Sequence, residues 1–221
     1  MGIYDDGEEK FLKSFLVKLN KNPIIFDVGA NIGNYSKLVT KIRPDAKIIA
    51  FEPNKSAFCE LKKLASNKII TLNFGLSKNK TKAVLYNQND ESNEHASIYA
   101  AVITSLHKKE STKETIHLDT IDNICKQMHI ETIDFLKIDT EGNELAVLQG
   151  ALGMLKKQKI AAIQFEFNEM NVISHVFFKD FIDLLNNYNF FRITSFGLIP
   201  ITYSPLKCEI FAYQNILAIK K

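Results

Sequence analysis

Between residues 24 and 75, three short apolar runs, IIFDVG (24–29), KIIAFEP (47–53) and IITLNFG (69–75), alternate with stretches of helical periodicity at about 35–42 and 55–65. A chain patterned this way builds βαβ units, because parallel strands need a long crossover and a helix is what covers the sheet. The alternation resumes with IDFLKID (133–139), a helix from about 144 to 157 with Leu145, Leu148, Leu152 and Leu155 on one side, and IAAIQFEF (160–167). It closes with a helix around FKDFIDLLNNY and two strands, FRITSFG and EIFAYQNILAIKK. The expected fold is α/β: a mostly parallel sheet, helices on both faces, and one antiparallel strand at an edge.

Residues 8–21 place Phe11, Leu12, Phe15, Leu16 and Leu19 on one helical stripe, so residues 1–22 read as an N-terminal helical extension that covers its own core. Residues 23–221 read as a single domain, with 46% apolar residues in the chain to fill one large core. A polar stretch at about 77–115 interrupts the pattern, with a short strand at KAVLY and a turn-rich segment NQNDESNEHAS; it is long enough to be a binding loop or lid and is expected to carry part of acceptor recognition.

No apolar run approaches the roughly 18–20 residues of a membrane span, and MGIYDDGEEK carries neither a signal-peptide core nor a myristoylation motif, so a cytoplasmic protein is expected. The three cysteines, Cys59, Cys125 and Cys208, form no C-x-x-C pair and read as free thiols. All but two of the 28 basic residues are Lys; with so little Arg for bidentate phosphate and base recognition, nucleic acid is not the expected partner.

The glycine loop FDVGANIGNY (26–35) narrows the ligand. A dinucleotide-binding G-x-G-x-x-G would need glycine where Asn31 and Asn34 stand, and no G-K-[ST] follows for a phosphate loop. A small zwitterion fits better: Asp27 at the strand end pairs with an ammonium, and Gly29, Ala30, Asn31 and Gly33 offer backbone groups at the start of a helix. Glu52 follows at the carboxyl end of the second strand, at the spacing of an acid that accepts both ribose hydroxyls, with Pro53 ending the strand behind it. Gly75 and Leu76, at the third strand end, suit close contact to adenine. An amino-acid group joined to a nucleoside points to S-adenosylmethionine.

The ordered blocks FDVGANIGNYS, FEP, LDTI, FLKIDTEGNELAVLQGA and FEF, spread over residues 24–168, resemble the FkbM family of S-adenosylmethionine-dependent methyltransferases. The resemblance implies the seven-stranded class I methyltransferase fold, O-methylation of a hydroxyl on a sugar, glycan or natural product, and cofactor contacts at Asp27, Gly29, Asn31 and Glu52.

For the chemistry, IDTEGNE brings Asp139, Glu141 and Glu144 together after the fourth strand, and Glu166 ends the neighbouring one. Asp139, Glu141 and Glu166 are the catalytic candidates, whereas Glu144 favours the N-terminus of the following helix. Crowded carboxylates serve either as a general base or as ligands of a divalent cation that acidifies the hydroxyl; the base reading is favoured because a hard cation wants more oxygen ligands than the sequence assigns. His95, in the insertion, is a further candidate base. A non-catalytic cofactor-binding domain, and a methyltransferase acting on RNA or protein, remain open alternatives. Oligomeric state is not legible.

Overall fold

The computed structural model describes residues 7–88, 96–106, 108 and 110–221; His95 and the first six residues of the extension lie outside these. In chain order the strands are β1 (Ile24–Val28), β2 (Lys47–Phe51), β3 (Ile69–Leu72), β4 (Gly75–Leu76), β5 (Thr81–Gln88), β6 (Ala96–Ser97), β7 (Ser111–Asp119), β8 (Phe135–Ile138), β9 (Ala162–Phe167), β10 (Tyr188–Thr194), β11 (Gly197–Ile201) and β12 (Gln214–Lys220). The helices are α1 (Glu8–Leu16), α2 (Asn34–Ile42), α3 (Lys55–Leu61), α4 (Ile121–Gln127), α5 (Glu144–Gln149), α6 (Leu152–Lys156), α7 (Met170–Ser174), α8 (Phe178–Leu184) and α9 (Pro205–Cys208).

The main sheet has eight strands in the order β11-β10-β12-β9-β8-β1-β2-β3. Pairing is parallel from β3 through β2, β1 and β8 to β9, and antiparallel where β12 meets β9 and β10 and where β11 meets β10. The α/β expectation stands with two differences. The long final strand does not sit at an edge: β12 is inserted between β9 and β10, where Ile216, Leu217 and Ala218 are fully buried. An eighth strand, β11, arises because FRITSFG does not run straight but turns at Ser195–Phe196 into Gly197, at φ 120°, and returns as an edge strand, where Pro200 is tolerated.

Strand alternation sorts the core into two layers. Phe26, Val28, Ile138, Phe165 and Phe167 face α4, α5 and α8, with Phe165 stacked on Phe181 at 4.4 Å between ring centres. Ile25, Ile48, Ala50, Phe135 and Leu217 face α1 and α2. Burying each large side chain stabilises the fold by about 1.5–3 kcal/mol. The predicted helix over 144–157 is two helices, α5 and α6, because at Gly150 a Cβ would lie 2.2 Å from the Ser77 carbonyl oxygen and the chain bends around that contact.

The extension is docked by its buried Phe11, Leu12 and Leu16 and clamped at its end by one side chain. Arg43, 9% exposed, donates from its guanidinium to the carbonyls of Leu16, Leu19 and Asn20 at the end of α1, while Asp45 takes its Nε. A cation capping those carbonyls is favourable in itself and complements the helix dipole. Arg43→Met is therefore expected to lower stability by about 2 kcal/mol, read by urea unfolding, with hydrogen exchange accelerated over residues 8–20; unchanged protection there would remove Arg43 as the anchor.

The 77–115 segment is not the irregular loop expected. Its described residues supply β5, β6 and the start of β7 to a second, four-stranded sheet in the order β4-β7-β5-β6, built on a long antiparallel β5–β7 pair. Its polar residues alternate with Leu85, Ile116 and Leu118, which form one apolar face with Ala83, Ala96 and Ile98. Buried hydrogen bonds tie it to the main sheet: Asn54 Nδ2 to Asn87 Oδ1 at 2.8 Å, Asn143 Nδ2 to the Leu76 carbonyl at 3.0 Å, and Ser97 Oγ to the Glu141 carbonyl at 2.7 Å.

Candidate active site

The apolar face of the second sheet and the carboxyl ends of β1, β2 and β8 enclose a cleft of about 100 Å³. One end is walled by Pro53, Ala57, Leu76, Leu85, Ile116 and Leu118, the other by Asp139, Thr140, Glu141 and Asn143, with Gly29, Asn31 and Glu52 between. Ligands of open α/β sheets bind beyond the strand ends, which is where this cleft lies.

Of the expected cofactor residues, Gly29, Asn31, Glu52, Pro53, Gly75 and Leu76 line this cleft, whereas Asp27, Ala30 and Gly33 do not. Ala30 is buried in the layer beneath α2. Gly33, at φ 84°, is glycine because a Cβ would lie 2.4 Å from Leu64 Cδ1 and 2.8 Å from Leu61 Cδ1; protein rather than ligand approaches it. The loop's amides are also engaged internally: Gly29 and Ala30 N–H both donate to the Phe51 carbonyl at 3.0 Å, Asn31 N–H to Glu52 Oε2 at 2.8 Å, and Gly33 N–H to the Ala30 carbonyl at 2.8 Å. The expected row of free backbone donors is thus already occupied in holding β1 to β2.

Asp27 is fully buried on the α1/α2 side of the sheet, where Ser36 Oγ donates to its Oδ2 at 2.6 Å and its Oδ1 accepts no hydrogen bond. Burial raises its pKa against the pull of Lys137 and Ser36. Direct pairing with a cofactor ammonium in the cleft does not suit that placement; the residue acts from below, on Ser36 and on Lys137.

Glu52, 6% exposed, accepts from the backbone N–H of Asn54 at 2.7 Å through Oε1 and from Asn31 through Oε2. Burial pushes its pKa up to about 7 despite both donors, and Asp27 and Asp139 add to the rise. The two amides fix the carboxyl group at the cleft wall, and each oxygen keeps a further lone pair for a ligand hydroxyl.

Asp139 and Glu141 line the far end of the cleft; Glu166 does not, although it is next to Asp139 across the β8–β9 pairing. Tyr213 OH donates to Glu166 Oε1 at 3.1 Å, and Asn168 Nδ2 to Oε2 at 3.3 Å. Burial, and then the charge of Asp139, hold the Glu166 pKa well above the carboxylate range, with Lys137 opposing them. Glu144, 2% exposed, ties up the intervening turn: its Oε1 accepts from Thr140 N–H at 2.8 Å, Thr140 Oγ1 at 2.9 Å and Gly142 N–H at 3.2 Å, and burial raises its pKa to about 7. It therefore shapes the Asp139–Gly142 turn, in which Glu141 takes φ 54°, as well as opening α5. Among the described residues, no three His, Cys, Asp or Glu side chains converge closely enough to hold a metal ion.

Sequence reasoning missed three parts of the site. Lys137, the residue before the last of β8, donates to Asp139 Oδ2 at 3.0 Å; its signal was a charge within an otherwise apolar strand. Asn54 and Asn143, the residues that clamp the second sheet, were not singled out in the sequence. The apolar wall of Leu85, Ile98, Ile116 and Leu118 was hidden in a polar alternation.

A doubly covered, mostly parallel sheet, with a cleft at its carboxyl edge and an acid ending the second strand, defines the class I S-adenosylmethionine-dependent methyltransferase fold. An rRNA methylase from Streptococcus thermophilus shares it at a TM-score of 0.51, with 12% identity over 100% of this chain and 99% of that one. The chain belongs to the FkbM methyltransferase family: the Methyltransferase FkbM domain matches residues 27–191. Among known relatives, the hexuronic acid methyltransferase AglP of Haloferax volcanii is 28% identical over 72% of this chain and 62% of its own. The methyltransferase sdnD of Sordaria araneosa is 30% identical over 61% of this chain and 62% of its own. The chain thus spans under two thirds of the length of either relative. Among the described residues, no helix is long and apolar enough to cross a membrane.

Proposed function

We propose that the chain transfers the methyl group of S-adenosylmethionine to a hydroxyl oxygen of a sugar or a related polyhydroxylated metabolite, with Asp139 as the base. The observation that carries the reading is a cleft at the strand ends that places Glu52 and a carboxylate held by a lysine along one wall. The hexuronic acid on which one relative acts favours a small oxygen acceptor over a macromolecule.

The bound cofactor would supply an activated methyl on a sulfonium. Glu52 would hold the ribose hydroxyls, and Leu76, Pro53, Leu85, Ile116 and Leu118 would sandwich the adenine; on this reading the insertion is chiefly a cofactor wall, and acceptor selection falls to the β8–β9 side. Asp139 would accept the hydroxyl proton as the O–C bond forms and the S–C bond breaks, its electron pair leaving with sulfur. A carboxylate cannot remove that proton beforehand, so its contribution depends on alignment with the forming bond.

Calorimetry with S-adenosylmethionine and S-adenosylhomocysteine tests the cofactor assignment. Glu52→Ala is expected to cost about 1.5–3 kcal/mol of cofactor affinity through loss of charged hydrogen bonds; equal affinity in that variant would sink the ribose assignment. Transfer of radiolabelled methyl to a panel of uronic acids, neutral glycosides and hydroxylated natural products tests the acceptor class, with labelling of RNA or protein alone counting against it.

A further inference from the structure

Lysine is an expensive residue in the middle of a buried parallel strand, and β8 keeps one. The Lys137 side chain is 9% exposed, between the buried Leu136 and Ile138. Desolvating an ammonium costs several kcal/mol, and an apolar side chain of the same length would pack there without that cost. The groups that face it come from each element packed around it: Glu8 of α1, Asp27 of β1, Tyr35 of α2, Asp139 beyond its own strand and Glu166 of β9. Its Nζ lies 3.0 Å from Asp139 Oδ2 and 4.9 Å from the centre of the Tyr35 ring. Burial works against the charge, but Asp139, Asp27, Glu8 and Glu166 outweigh it and hold the ammonium above the ordinary lysine range.

Of two acids near one another, the one that a cation grips is favoured in its charged form over the one that no cation holds. Here the cation grips Asp139, while among the described residues Glu166 accepts hydrogen bonds from a phenol and an amide. We infer that Lys137 is a positioning residue for the transfer: it holds Asp139 by Oδ2 and presents the other carboxylate oxygen, ionised, to the acceptor hydroxyl. This rests on the reading of Asp139 as the base. It also explains why a lysine is retained where an apolar residue would be cheaper, since the ion pair sets which carboxyl group is the base.

The test needs no acceptor. Carbon-13 NMR of the labelled Asp and Glu carboxyl groups is followed against pH in the S-adenosylhomocysteine complex of the wild type, Lys137→Met and Lys137→Arg. Both carboxyl signals are followed together, the first titration step being the one that proton loss from either group produces. Lys137→Met is expected to move the first step upward by roughly one to three units, and Lys137→Arg to return it most of the way. Should Lys137→Met fail to fold, Lys137→Gln, which keeps a donor without the charge, answers the same question. A pair that titrates unchanged, with only the melting temperature lowered, would reduce Lys137 to a structural ion pair and overturn the inference. Failure of the acceptor panel leaves this measurement intact, whereas an active Asp139→Asn enzyme would remove the base itself.

Discussion

Asp139→Asn is expected to lower kcat by roughly 10²- to 10⁴-fold, the usual contribution of a positioned base, while S-adenosylhomocysteine affinity stays within about 1 kcal/mol. Asparagine keeps the size of the side chain, and its amide oxygen can still accept from Lys137, so the change removes basicity and little else. The contrast with Glu52→Ala is the informative part: one variant should bind the cofactor and not turn over, the other should bind it weakly. Turnover is also expected to persist in excess chelator. Loss with EDTA and rescue by magnesium would instead assign the carboxylates to a cation, and undiminished turnover in Asp139→Asn would remove the residue from either role.

How much of this was legible depended on what each signal reports. Period and punctuation located β1, β2, β3, β8 and β9, because a strand buried on both faces must be an apolar run and its end must carry the turn. The acids at 52 and 139 line the cleft by the same logic, since strand ends are where an α/β sheet meets its ligand, whereas Glu166, placed by that logic too, does not. What failed was direction. A sequence position does not say which side of a strand a side chain leaves, and Asp27 leaves on the α1/α2 side, away from the cleft. Nor does a glycine say what approaches it; at Gly33 it is Leu61 and Leu64. The second sheet escaped because STKETIHLD is mostly polar, and its inward residues, Ile116 and Leu118, acquire meaning only when Leu85 of the partner strand faces the same cleft. Lys137 escaped for the opposite reason: it lies in the strand that was read most easily, and the apolar run around it concealed the one charge.

Gly29 is the position where fold and site are hardest to separate, and Gly29→Ala is expected to be among the most damaging single substitutions in the chain. The residue takes φ 80°, and an added Cβ would stand 1.7 Å from the Asp139 carbonyl oxygen and 2.8 Å from its carbonyl carbon. Both neighbours are backbone at the ends of paired central strands, with Asp139 N–H donating to the Val28 carbonyl at 2.9 Å and Gly29 N–H to Phe51, so neither can swing aside as a side chain would. Relief requires β1 and β8 to part at their carboxyl ends. Overpacking against an immovable group costs about 1–3 kcal/mol, and a positive φ in a non-glycine residue about the same again, giving roughly 2–6 kcal/mol together. The strain falls on the peptide that carries Asp139, so the variant should lose turnover even where it still folds. Urea unfolding paired with cofactor titration separates the two effects: a Gly29→Ala protein of wild-type stability would show that the β1–β8 junction has slack, and one that is destabilised yet fully active would show that the position of Asp139 does not depend on it.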